Sequence, residues 1–268
     1  MAALFQQLFT REQGLGRRPS YSLQKLQALH DRLQSILETD ESAEAVEVIR
    51  SMTEALLWGE QNDDNDQFFD FFCENCILSD FVQILGRNVP KTVKVQLLQS
   101  LSMLIQNIRR PTSLYYLFSN NYVNQLIATQ FDWSDEEILS YYISFLKSLA
   151  LRLNQETVKQ LGNGADQRDL VFFFNERSQQ FPLFTEAIRF FSHRDQMVRT
   201  SVRNMTLRVF RLDDEAMQRF VLRVARPYFQ RLSEYLALLW CQLEEARGSS
   251  AMEEANDEQQ DLLMCPEC

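Results

Sequence analysis

Histidine is nearly missing from this chain: two residues in 268, His30 and His193. His30 has no cysteine or acid cluster at ligand spacing and His193 lies in an expected turn, so both read as structural or solvated side chains. Glycine and proline are scarce, at seven and six. An all-β or dinucleotide-binding chain needs more turn formers, whereas helices joined by short loops do not. No apolar run approaches the ~20 residues that span a bilayer. The opening MAALFQQLF is interrupted by Gln6 and Gln7 and lacks a leading positive region, against a secretory signal. Arg11–Arg18 reads as a basic flexible lead rather than a transit peptide. The chain is therefore expected in the cytoplasm with reduced thiols. The stretch from Thr112 to Leu153 holds no nucleophile–base pair, phosphate loop or metal-ligand spacing, and neither catalysis nor a cofactor is expected of the chain.

Cysteine is limited to five residues. Cys73-x-x-Cys76 and Cys265-x-x-Cys268 have the outline of two half zinc sites, but their separation far exceeds that of a compact ribbon. Cys73 lies in FFDFFCENC, where a buried helical thiol is the simpler reading. The terminal Cys-Pro-Glu-Cys does not make a prenylation box, because Pro and Glu replace the aliphatic residues. Asn204-Met-Thr206 is a formal glycosylation acceptor inside an expected helix, hence noise. Asp63, Asp64 and Asp66 lack the glycine and terminal glutamate of a calcium loop.

What is present is apolar and aromatic. Hydrophobic residues make up 45% and phenylalanine alone contributes 20, enough to build a core over most of the length. The negative charge is local. From Glu244 onward there are eight acids against one base, while the rest of the chain has 29 acids against 26 bases.

Residues 1–20 read as a flexible lead, 21–246 as one helical-repeat domain, and 247–268 as a disordered acidic tail. Ser22 caps a helix through Leu26, Leu33 and Ile36, and a second helix covers about Ser42–Trp58. Phe68–Leu85 reads as two short helices broken near Asn75. Pro90 opens a helix ending before Pro111. Ser134 with Glu137 forms a capping box for the next helix. Gly162–Asp169 reads as a loop or insertion, and Leu170–Phe174 as strand or helical turn. Helices resume at Pro182–Phe191, Asp195–Arg211, Asp213–Ala225 and Pro227–Ala246.

The long helices share a recurrence. Leu97, Leu98, Leu101, Leu104, Ile105 and Ile108 return 41 residues later as Ile138, Leu139, Tyr142, Phe145, Leu146 and Leu149. A weaker copy is Val198, Arg199, Val202, Met205, Thr206 and Val209, and an earlier one Ala45, Val46, Ile49, Met52, Thr53 and Leu56. A recurrence of about 40 residues lies in the armadillo and HEAT range, and Asp195-x-x-Val198-Arg199 resembles the start of a HEAT second helix. The expected fold is all-α, an armadillo/HEAT-like solenoid.

Two surfaces stand out. Glu186–Arg231 carries ten arginines against five acids. Arg199, Arg203, Arg208 and Arg219 are its candidate contacts for an acidic partner or an anionic membrane headgroup. The plainer alternative is a solvated face with internal salt bridges. Nucleic acid is not expected, because no recognition motif is present and the overall charge is negative. Tyr115, Tyr116, Asn121, Tyr122 and Tyr141 suit either a peptide groove or the polar edge of a core.

Several longer stretches carry a resemblance. They are Leu57-Trp58-Gly59-Glu60-Gln61-Asn62-Asp63, Val95–Gln99, Ser113–Asn124, Phe131–Leu146, Phe181-Pro182-Leu183, Thr185–Ile188 and Met197-Val198-Arg199. Together they resemble the FPL-domain (ema-like) family, over about Ser22 to Phe220. The resemblance implies a cytosolic, helical, non-catalytic adaptor peripherally bound to endosomal, Golgi or autophagic membranes. It implies roles in endosome maturation, autophagy and delivery to lysosome or vacuole. The implied partners are membrane-tethering machinery, small Rab GTPases and, in animals, a ubiquitin ligase. Family members are several times longer than this chain, and the Gly162–Phe174 segment departs from them. The rival reading is a ubiquitin-ligase-associated component or a Cys-based metal or redox protein.

Overall fold

The computed structural model describes residues 21–39, 44–62, 66–119, 121–153, 174–175 and 178–263. The lead at 1–20, the Gly162–Asp169 loop and Asp63, Asp64, Cys265 and Cys268 lie outside them. The described residues are helical, with one isolated antiparallel bridge between Asn175 and Gln180 and no strand. The helices are α1 Leu23–Thr39, α2 Ala45–Asn62, α3 Gln67–Glu74, α4 Ile77–Gly86, α5 Lys91–Asn107, α6 Pro111–Ser119, α7 Tyr122–Ala128, α8 Glu136–Arg152, α9 Pro182–Arg189, α10 Gln196–Phe210 and α11 Glu215–Leu263. The chain divides into two compact units, 1–214 and 215–268.

In the first unit the recurrence becomes packing. Helix α2 packs on α5, α5 on α8 and α8 on α10. Every recurring position named in α5 and α8 is buried, as are the matching residues of α2 and α10 except Val46 and Arg199, which are half-buried. The shorter α4, α7 and α9 form a second series, α4 on α7 and α7 on α9. Buried polar groups on the long helices are satisfied within and between helices: the Thr53 hydroxyl donates to the Ile49 carbonyl at 2.7 Å, and Gln106 of α5 donates to the Ser148 hydroxyl of α8 at 2.6 Å.

Chain breaks follow residue chemistry. Between α3 and α4 the chain turns at Cys76, which adopts a left-handed conformation (φ 51°). Pro90 and Pro111 bracket α5. The cap of α8 falls one residue later than the sequence suggests. Asp135, not Ser134, accepts from the Glu137 and Ile138 amides at 3.0 and 3.1 Å. Ser134 instead donates its hydroxyl to Asp132 at 2.6 Å. A carboxylate is the stronger acceptor at the positive end of a helix. Lys91 joins Asp135 and Glu137 at 2.7 and 2.9 Å, and this ammonium holds the Asp135 carboxyl below its usual range.

Gly59 shows where packing tolerates no side chain. A Cβ there would stand 2.5 Å from Phe68 Cβ, whose ring also meets Trp58 edge-on at 5.4 Å. Gly59→Ala is expected to cost about 1–3 kcal/mol through overpacking, although alanine is the better helix former. A urea midpoint at or above that of the parent protein would show that α2 and α3 can part freely.

The second unit corrects two expectations. Helices 213–225 and 227–246 are one helix, α11, which passes through Pro227. The backbone is also helical past Gly248 to Leu263, where a disordered tail is expected. Proline removes one backbone donor, but Arg, Leu, Gln, Ala and Glu on either side favour helix. Low hydrophobicity after Gly248 removes the means of building a core, not the helical preference of Ala, Met, Glu and Gln. Tyr235, Leu236, Leu238, Trp240 and Leu243 on α11 are exposed.

Candidate functional site

The motifs behind the resemblance are spent largely on architecture. Phe181 is the N-cap residue of α9 and is fully buried, stacked on Phe184 at 6.0 Å and tilted on Phe174 at 6.1 Å. Pro182 takes the first helical turn, where a missing N–H costs nothing, and Leu183 is buried. Just upstream, Asn175 and Gln180 exchange backbone hydrogen bonds of 2.8 and 3.1 Å. The tripeptide thus starts a helix and anchors it. Glu60 acts in the same way at a distance. Its carboxylate accepts from the Arg109 and Arg110 amides at 2.7 and 2.9 Å, ahead of α6, and Arg110 also pairs with Asp66.

The tyrosine group is distributed over three helices. Tyr116, on α6, donates its hydroxyl to the Cys73 carbonyl at 3.1 Å and packs edge-on against Phe69 and Phe72. Burial, with Cys73 and Cys76 beside it, pushes its phenol well above the ordinary range. Asn121 caps α7 in a left-handed conformation, and its side-chain oxygen accepts from Asn124 at 2.9 Å. Tyr122 and Tyr141 are half-buried on α7 and α8. The side chain of Tyr115 lies outside the described residues.

A histidine the sequence left isolated has a distant partner. His30 is 8% exposed, and its Nε2 lies 3.1 Å from Asp80, 50 residues away. Gln34 donates to the same Asp80 oxygen at 2.6 Å. His193 lies in the turn before α10 and accepts from the Asp195 amide at 3.1 Å. Burial, reinforced by Asp70, pushes the Cys73 thiol up to about 12, so it is a poor thiolate at neutral pH. Among the described residues, no three His, Cys, Asp or Glu side chains converge as a metal site.

The arginine group separates by role. Arg199 donates to the His193 and Arg194 carbonyls at 2.7 and 2.6 Å and closes the turn before α10. Arg203 lies over the Phe191 ring at 5.8 Å. Arg219, in the second unit, pairs with Glu215 on its own helix at 3.7 Å. Arg189 and Arg194 pair with Glu186 and Glu136. Arg208 is different, because it lines a recess between α8 and α10. Lys147, Ala150 and Leu151 form one wall, and Asn204, Met205, Leu207, Arg208 and Arg211 the other. The recess encloses about 220 Å³. Lys147, Arg208 and Arg211 are exposed, and none makes an ion pair among the described residues. Arg203 is about 140° around α10 from Arg208, so it is not on this wall.

The sequence identified Arg208 here but not Lys147 or Arg211. The missing signal is adjacency: once the recurrence sets α8 against α10, positions 147, 150 and 151 form one stripe and 204, 207, 208 and 211 the other.

This is an all-α protein that uses a buried Phe-Pro-Leu to start a late helix. The FPL family model, described as "Uncharacterised conserved protein", matches residues 49–210, and the chain belongs to that family. It is 50% identical over 190 residues to human Protein CLEC16A, covering 70% of this chain and 17% of that protein. It is 43% identical over 216 residues to the Drosophila melanogaster Protein CLEC16A homolog, covering 79% of this chain and 19% of the relative. To Protein TRANSPARENT TESTA 9 of Arabidopsis thaliana it is 39% identical over 222 residues, covering 82% and 25%. The chain thus spans a quarter or less of the length of these curated relatives. No solved structure matches it.

Proposed function

We propose that this protein is a non-catalytic scaffold or adaptor in endosome maturation, autophagy and endolysosomal or vacuolar delivery. It works peripherally on endosomal, Golgi or autophagic membranes, with tethering and Rab machinery and a ubiquitin ligase among its partners. The armadillo/HEAT-like solenoid belongs to the same reading, and the serial packing of α2, α5, α8 and α10 supports it. The observation that carries the proposal is the match to the FPL family across residues 49–210. The site chemistry agrees with a binding role. The Tyr116 hydroxyl is held by a backbone carbonyl, His30 by Asp80, and the Cys73 thiol stays protonated.

In cells of the source organism, loss of this chain is expected to delay transfer of an endocytosed fluid-phase tracer to degradative compartments. Re-expression of the full chain restores the transfer. Normal tracer arrival in the null cells, together with a diffuse tagged protein, is the outcome that rejects this reading.

A further inference from the structure

We propose that the recess between α8 and α10 is a docking groove for an acidic peptide segment that inserts an apolar side chain. Three observations carry this. First, the cations that line it are uncommitted, whereas their neighbours are spent: Arg199 on carbonyls, Arg203 on Phe191, Arg189 and Arg194 on glutamates. Lys147, Arg208 and Arg211 come from two helices and face one opening, and no acidic residue lines it. Such a cluster repels itself unless an anion joins it. Second, the lining between the cations is apolar: Ala150, Leu151, Met205 and Leu207. Leu151 and Leu207 are 44% and 55% exposed, so water covers apolar surface that a ligand would bury. Third, about 220 Å³ is smaller than the usual ~300–1,000 Å³ of a small-molecule site and fits a side chain or two.

These features favour a peptide over a lipid headgroup. A headgroup is polar throughout and would leave Leu151 and Leu207 uncovered. A bilayer is met by a flat or protruding apolar face, not by a recess. An acidic segment with a leucine-sized side chain satisfies both linings together, with Asn204 placed to bond its backbone. The proposal rests on the adaptor reading only in requiring that the chain bind a protein partner. Normal tracer delivery in null cells would overturn the trafficking role and leave the groove standing, and failed peptide binding would do the reverse.

The test uses the full chain and a fluorescein-labelled heptapeptide, EDLEDLD, read by fluorescence anisotropy. Saturable binding is expected, weakening steeply as salt rises from about 50 to 500 mM. Lys147→Glu with Arg208→Glu should weaken it at least about tenfold while the helical circular-dichroism signal is unchanged. The serine analogue EDSEDSD should bind at least about fivefold more weakly than the leucine peptide, because it cannot fill the apolar lining. If the double reversal disturbs folding, a benzophenone at the second leucine position of the peptide should crosslink the parent protein within 147–151 or 204–211. Equal binding by the double variant, equal binding by the serine peptide, or crosslinks confined elsewhere would overturn the proposal. So would binding to phosphatidylserine vesicles without binding to the peptide, which would make the surface a membrane contact.

Discussion

Tyr142→Ala is expected to lower the unfolding free energy by about 4–6 kcal/mol, from a lost ring, a cavity and an orphaned carbonyl. Tyr142 is fully buried on α8, and its hydroxyl donates to the Ile127 carbonyl at the end of α7 over 2.7 Å. Its ring lies 4.9 Å from Trp133, 5.6 Å from Phe131 and 6.1 Å from Phe190. Aromatic side chains from the α7–α8 connection, α8 and the end of α9 therefore meet on one residue. Burial pushes the phenol far above its usual range, so it stays a neutral donor at any working pH. Tyr142→Phe separates the two contributions. It keeps the ring contacts and should cost only about 1–3 kcal/mol, the penalty of leaving the Ile127 carbonyl without its donor. Urea unfolding followed by circular dichroism measures both. Equal losses in the two variants would mean that the hydroxyl, not the ring, holds α7 to α8.

The part of this fold that was readable in the sequence is the part fixed by local periodicity. The residues from Leu97 to Ile108 and from Ile138 to Leu149 read as matching faces of two helices, and they bury matching faces. Their spacing of about 40 residues also anticipated that the two helices would be neighbours. What was not readable depends on partners far along the chain. His30 looked isolated because Asp80 is 50 positions away. Glu60 stands in the sequence only as one residue of the Leu57–Asp63 stretch, yet it receives two amides from the α5–α6 connection. The α10 arginines looked alike as a run of charge. Only the neighbouring carbonyls, rings and carboxylates separate Arg199, Arg203 and Arg208. Pro227 does not end α11, because the helix formers on both sides of it outweigh one missing backbone donor.

Arg152 is the residue where this long-range dependence should be most measurable. It ends α8, but its guanidinium reaches α5: Nε donates to the Ile105 carbonyl at 2.7 Å, and Nη2 to those of Gln106 and Ile108 at 2.8 and 2.6 Å. The last turn of a helix leaves its carbonyls without intrahelical donors, and a cation there also meets the negative end of the helix dipole. One side chain thus closes α5 and ties it to α8. Partial burial is the main influence lowering the guanidinium's proton affinity, with Arg109 adding to it, but arginine remains charged throughout the working range. Arg152→Met keeps much of the stem and removes every donor. It is expected to cost about 3–4 kcal/mol, since a hydrogen bond from a charged donor is worth roughly 1.5–3 kcal/mol and the bonds share one group. Arg152→Lys keeps the charge but cannot span three carbonyls in a fixed fork, so it should recover less than half of that loss. Hydrogen exchange localises the effect: the amides of residues 104–108 should lose protection before those in the middle of α5. Uniform loss of protection along α5, or full rescue by lysine, would show that charge alone, and not the fork, holds this helix end.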